Sequence, residues 1–110
     1  MIIANIIQSQ YQLISPQELE QRMKNNSVVV IDVREKDEYE KGHIPGALLK
    51  PLSEFSAKEL ASYPNIVLYC RSGKRSHTVA EKLIETGMTM VTELKGGITA
   101  WQEAHLPVAT

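Results

Sequence analysis

Apolar residues fall in short runs along this chain, separated by polar stretches that carry helix and turn signals. The most regular run, Val28-Val29-Val30-Ile31-Asp32-Val33, is almost wholly β-branched, the signature of a strand buried on both faces in a parallel sheet. Ile66-Val67-Leu68-Tyr69 is a second such strand, and shorter runs at 11–14, 47–49 and 91–94 predict three more. Ser15-Pro16-Gln17-Glu18 supplies an N-cap serine, a proline at the first helical position and a glutamate three after the cap. It predicts a helix through Leu19 and Met23 that stops near Asn25-Asn26. A short polar helix is expected over 35–41, ending at Gly42, before a Pro45-Gly46 turn. A further capped helix is expected over 53–62, with Ser53 at its start and Glu54 in its first turn. Val79, Ala80, Leu83 and Ile84 recur at helical spacing within 76–85, with Gly87 as the C-cap, and 97–104 predicts a last helix containing Trp101. Strands alternating with helices over short connections predict an α/β fold with a mainly parallel sheet. Ligand sites in such sheets lie beyond the carboxyl ends of the strands, which here means beyond Tyr69 and Asp32.

The length of 110 residues suits one domain over 1–110, and the scarcity of aromatics, 5% against 43% hydrophobic, leaves the core to Val, Ile and Leu. A formal charge of -1 provides no global field for nucleic acid or a membrane surface, and no run approaches a membrane span. One cysteine excludes an internal disulfide and a cysteine-only metal site. His43, His77 and His105 are scattered, so no metal site is expected. The start, Met1-Ile2-Ile3-Ala4-Asn5-Ile6-Ile7, has no Lys or Arg before Arg22 and does not read as a secretory signal. A cytoplasmic, reducing setting is the expectation for a free thiol. The isoleucines of residues 1–10 are open to two readings, packing on the domain or self-association.

Cys70 changes the picture most. It ends an apolar strand and is followed by Arg71-Ser72-Gly73-Lys74-Arg75-Ser76, three cations within five positions, where a helix begins. Gly73 is free to take a left-handed conformation, so successive N–H groups of 71–76 are able to curl around the sulfur as an anion-binding nest. Amides, hydroxyls and positive charge favour a thiolate, and would equally favour a persulfide on that sulfur or a bound oxyanion. A lone cysteine is more often a buried structural thiol. The strand-end position, the glycine and the cations reverse that preference.

Cys70-Arg71-Ser72-Gly73-Lys74-Arg75-Ser76 resembles the active-site loop of single-domain rhodaneses. Asp32-Val33-Arg34-Glu35, Gly42-His43-Ile44-Pro45-Gly46-Ala47 and Gly96-Gly97-Ile98-Thr99-Ala100-Trp101 follow that family's order and spacing, so the resemblance covers about residues 13–107 and leaves 1–10 outside it. The resemblance implies a rhodanese-like three-layer domain, a mainly parallel five-stranded sheet flanked by helices. It implies a sulfurtransferase with no metal and no organic cofactor. Cys70 would take a sulfane sulfur from a small anionic donor such as thiosulfate, or from a persulfide, and hand it to cyanide, a small thiol or a protein thiol. Within the loop, the amides of 71–75 would hold the persulfide, Ser72 and Ser76 would donate hydroxyl hydrogen bonds, and Arg71 and Lys74 would attract the donor. Arg75 would brace the loop from within, against Asp32. Asp32 and Arg34 would hold the crevice together by hydrogen bonds, His43 and Pro45 would shape a turn, and His77 would point outward rather than act as a base.

Two other readings compete. Cysteine-dependent phosphatases and arsenate reductases also cradle a thiolate, but their arginine follows a five-residue gap. Here position 76 is serine and Arg75 follows four intervening residues, a loop one residue short. A non-catalytic rhodanese-like regulatory or docking module usually lacks the cysteine, which is present here.

Overall fold

A computed structural model describes residues 10–110. The isoleucines before Ser9 lie outside the described residues. Five strands form one parallel sheet: β1 (Tyr11–Ile14), β2 (Val29–Asp32), β3 (Leu48–Leu49), β4 (Ile66–Tyr69) and β5 (Val91–Leu94), in the order β1-β5-β4-β2-β3. Between and after them come α1 (Pro16–Lys24), α2 (Lys36–Lys41), a 3-10 turn (Leu52–Glu54), α3 (Ala57–Ala61), α4 (Lys74–Glu85) and α5 (Gly97–Glu103). This is the α/β fold with a parallel sheet that the strand and helix pattern predicts, in the five-stranded form that the resemblance implies.

The period of two along the central strands sorts side chains into two cores, one on each face. Val30, Val67, Tyr69 and Leu94 pack with Leu19, Ile98 and Trp101, beneath α1 and α5. Ile31, Leu68, Cys70 and Val91 pack with Leu60, Val79, Ala80 and Leu83, beneath α3 and α4. Every residue of β4 is buried, which explains its unbroken apolar run. The strands that follow β2 and β4, namely β3 and β5, lie outward on opposite sides of that pair. The connections therefore diverge and leave a crevice beyond the carboxyl ends of β2 and β4.

Most helix boundaries agree with the caps read from sequence. Ser15 Oγ accepts the Glu18 N–H at 3.1 Å, and Gly87, with φ +113°, follows the end of α4. Two differ. The stretch expected as one helix over 53–62 is broken at Phe55, whose backbone is extended (φ -58°, ψ 131°). Ser56, not Ser53, caps α3 by accepting the Glu59 N–H at 3.2 Å, while Ser53 Oγ donates to Glu35 Oε1 at 2.8 Å. The segment is pulled away from a helix start at 53 because the Leu52 N–H is held by Val33 O at 3.0 Å, at the end of the sheet. In addition, α4 begins at Lys74 rather than Ser76, so the last residues of the cationic loop belong to its first turn.

Leu68 is fully buried, between Ile31 on β2 and Glu93 on β5. Truncating it removes buried methyl groups and leaves a cavity. Leu68→Ala is expected to lower stability by about 2–5 kcal/mol, read from equilibrium urea unfolding.

Candidate active site

Cys70 stands one residue beyond β4, and it is 1% exposed. Its Sγ accepts the Gly73 N–H at 3.1 Å, and its thiol lies 3.7 Å from Ser76 Oγ. Gly73 reaches that donor position with φ +120°, a conformation side chains resist. Arg71, Ser72 and Lys74 are exposed on the rim, Gly73 and Arg75 are half-buried, and Ser76 is buried at the base. The structure thus gathers the predicted loop, residues 70–76, around one sulfur.

With the Gly73 N–H turned toward the sulfur, the carbonyls at the start of the loop find their donors elsewhere. The N-terminus of α5 receives them: Ile98 N–H donates to Cys70 O at 2.9 Å and Thr99 N–H to Arg71 O at 3.1 Å. Gly97 makes this approach possible, because a Cβ there would overlap the carbonyl oxygens of both Cys70 and Arg71. Gly97 thus brings the start of α5 into contact with the cysteine loop itself.

Asp32 and Arg34 form a buried pair at the end of β2. Arg34 Nη2 and Nε donate to Asp32 Oδ2 at 2.7 and 3.1 Å, and Arg34 Nη2 also reaches Gly42 O at 2.7 Å. Asp32 Oδ1 accepts the Arg34 backbone N–H at 2.9 Å, which satisfies the carboxylate locally. Beside them, burial and then the charge of Asp32 push the Tyr69 hydroxyl above its ordinary value. It stays neutral and accepts the Ile44 N–H at 3.1 Å. His43 shapes the same turn, with its ring stacked on Tyr39 and Nδ1 2.8 Å from Tyr39 O.

Arg75 is braced, but not against Asp32. Its guanidinium grips Glu38 on α2 in a two-pronged pair, 2.6 and 2.9 Å. Asp32 is engaged by Arg34 and acts on Arg75 only by charge, as Cys70 does, behind the dominant hydrogen bonds to Glu38. Glu38 gave no signal in sequence beyond its place in a polar helix. Glu93 was likewise unread. It is 2% exposed on β5, with Oε2 3.0 Å from His77 Nδ1 and Oε1 accepting from Ser76 Oγ at 3.3 Å. A carboxylate within an otherwise buried strand was the available signal. His77 is exposed, as expected, but its ring is tied inward to Glu93, which raises its proton affinity above the ordinary histidine value.

The profile of the Rhodanese-like domain matches residues 15–104. The chain belongs to the rhodanese family. It is 37% identical over 98 residues to the thiosulfate sulfurtransferase GlpE of Coxiella burnetii, covering 86% of this chain and 91% of that protein. It is 36% identical over 96 residues to an uncharacterised protein of Synechocystis, covering 86% of this chain but spanning only 54% of that relative. Among solved structures, a rhodanese-related protein from Thermoplasma volcanium matches with a TM-score of 0.79 at 30% identity, covering 90% of this chain and 98% of that one. Among the described residues of this rhodanese, no helix is long and apolar enough to cross a membrane.

Two expectations follow from this geometry. Gly97→Ala is expected to displace the Cys70–Arg71 backbone and to cost more than the roughly 1 kcal/mol ordinary for a strained glycine site. Thermal unfolding and the alkylation rate of Cys70 would both register it. The second concerns acid. The hydrogen bonds from Arg75 lower the Glu38 carboxyl from 4.5 to about 2. Because the folded value is the lower one, the pair's stabilisation is fully present above pH 4.5 and is lost as pH falls through about 2. Glu38→Gln is expected to flatten the fall in stability across that window, measured by urea titrations at stepped pH.

Proposed function

We propose that this rhodanese is a thiosulfate or persulfide sulfurtransferase that works through a Cys70 persulfide. The observation that carries the reading is the Cys70 sulfur itself, with the Gly73 N–H aimed at it from 3.1 Å in a loop of cations. The GlpE likeness supports the reaction class.

In the first half-reaction the Cys70 thiolate attacks the outer, sulfane sulfur of the donor. A sulfur–sulfur bond forms to Cys70 as the donor's own sulfur–sulfur bond breaks, and sulfite leaves with the electron pair when the donor is thiosulfate. The attacking species is the thiolate, so no general base takes part in bond exchange. Arg71 and Lys74, exposed on the rim, draw the anionic donor to the loop. In the second half-reaction cyanide, a small thiolate or a protein thiolate attacks the outer sulfur, and Cys70 leaves as a thiolate. Between the two halves, the amides of 71–75 hold the persulfide anion, as preorganised donors do for developing charge. A soft sulfur nucleophile suits a soft sulfane electrophile, and the scheme is covalent catalysis without a metal or organic cofactor. A reducing setting such as the cytoplasm keeps the one thiol available for it.

Intact-protein mass after incubation with thiosulfate tests the scheme. The expected result is a gain of one sulfur, about 32 Da, that disappears on adding cyanide and is absent in Cys70→Ser. No adduct from thiosulfate or from a persulfide donor would overturn it. Arg71→Ala and Lys74→Ala should raise KM for thiosulfate more than they lower kcat, the mark of lost donor binding.

A further inference from the structure

Glu93 is the buried charge that the sulfur-transfer scheme leaves without a task. It lies on β5 in register with Leu13 and Leu68, on the face covered by α4. A carboxylate there is costly unless it is partnered. Its two oxygens divide their partners, Ser76 Oγ at 3.3 Å and His77 Nδ1 at 3.0 Å. Ser76 Oγ is in turn the atom 3.7 Å from the Cys70 sulfur. The serine also lies 3.2 Å from Gly73 O, but it has a single proton, and the charged acceptor is the stronger one. One hydroxyl therefore separates the nucleophile from a buried carboxylate, and that carboxylate is backed by an exposed imidazole.

A fixed negative charge this close opposes a second one on the sulfur, and a protonated imidazole on its far side cancels it. We propose that the Glu93–His77 pair sets the charge beneath Cys70 and thereby the reactivity of the sulfur, with Ser76 as the link. Glu93 is a positioning residue in this scheme; it does not touch the donor. Among the described residues, Lys74 on α4 and Lys95 after β5 line the same hollow as the pair, with Glu81 on α4 and Tyr11 on β1 beside the imidazole and Cys70 beyond Ser76. Glu81 stands 3.9 Å from His77 Nε2, and the Tyr11 ring lies 4.7 Å from the imidazole. Hydrogen bonding to Glu93 raises His77 above 6.5. Below that raised value the pair is neutral overall and the sulfur anion meets no net charge. Above it the pair carries one negative charge, and both the sulfur anion and an anionic donor are disfavoured.

Because the chain has one cysteine, iodoacetamide reports on Cys70 alone. Alkylation rates across pH would be measured for the wild type, Glu93→Gln, His77→Gln and the double variant, with thermal unfolding as a check on the fold. At pH 7, Glu93→Gln is expected to react about tenfold faster than wild type and His77→Gln about tenfold slower, the signs that follow from removing a nearby like charge or its counter-charge. The double variant should follow Glu93→Gln, since His77 matters only as the counter-charge. A merely structural role would move both single variants in the same direction. That result, or a double variant that follows His77→Gln, would overturn the proposal. If Glu93→Gln does not fold, His77→Gln decides, and no slowing in it would be fatal. The thiosulfate kcat/KM of the wild type should also fall at alkaline pH, with a midpoint above 6.5, the reference from which His77 is raised. The inference rests on the sulfurtransferase reading only in this kinetic arm. Opposite alkylation effects without thiosulfate turnover would support Glu93's role and count against that reading.

Discussion

The carbonyl oxygens of Cys70 and Arg71 point away from the sulfur, and the rest of the site depends on something receiving them. A loop that turns its N–H groups inward toward an anion must direct its carbonyls outward, and buried carbonyls require donors. The first turn of α5 supplies those donors, Ile98 and Thr99, and Gly97 lets the two backbones touch. This joins the motif at 96–101 to the motif at 70–76 by a physical contact. It also gives α5 a task beyond packing Trp101. With that helix start displaced, the two carbonyls would lose the donors they have here.

Two ion pairs hold the opposite wall, and magnitudes separate them from the surface pairs. Arg22–Glu18, Lys24–Glu20 and Lys36–Glu40 are exposed i,i+4 contacts, each worth about 0.3–0.5 kcal/mol. Asp32–Arg34 is buried, and removing one partner of such a pair costs about 3–5 kcal/mol, because the other is left uncompensated. Arg75–Glu38 lies between these limits. It ties the first turn of α4, and so the end of the cysteine loop, to α2 on the far side of the crevice. The crevice thus has a hydrogen-bonded helix start on one side and guanidinium clamps on the other.

Elements whose signals are local were legible in the sequence. The β-branched run of β2, the Ser15 cap of α1 and the glycine after α4 each state their structure within a few residues. The broken stretch at 52–61 was not, because the Leu52 N–H at its start is held by a long-range backbone bond to Val33. The site divides in the same way. The loop around Cys70 is continuous in sequence and was readable, including the glycine that lends its N–H. Partners that arrive from other elements were not: Glu38 sits 37 residues before Arg75, and Glu93 sits 17 after Ser76. Charge pairing across a fold has no period and no spacing, so the assignment of Arg75 to Asp32 chose a plausible carboxylate and missed the one within reach.

Burial of the sulfur bears on which half-reaction a bulky partner can join. At 1% exposure, Cys70 is shielded from anything larger than a small donor able to enter the loop. A persulfide carries its outer sulfur one bond further out, about 2.05 Å. On the sulfurtransferase reading, that atom is the electrophile an acceptor must reach, so the acceptor meets a more accessible sulfur than the donor does. Discrimination then falls on the loading step, where a small, anionic, cation-steered donor is favoured. The exposed rim of Arg71, Ser72 and Lys74 leaves the unloading step open to thiols of very different size. On that reading, the geometry that shields the resting thiol would present the loaded sulfur.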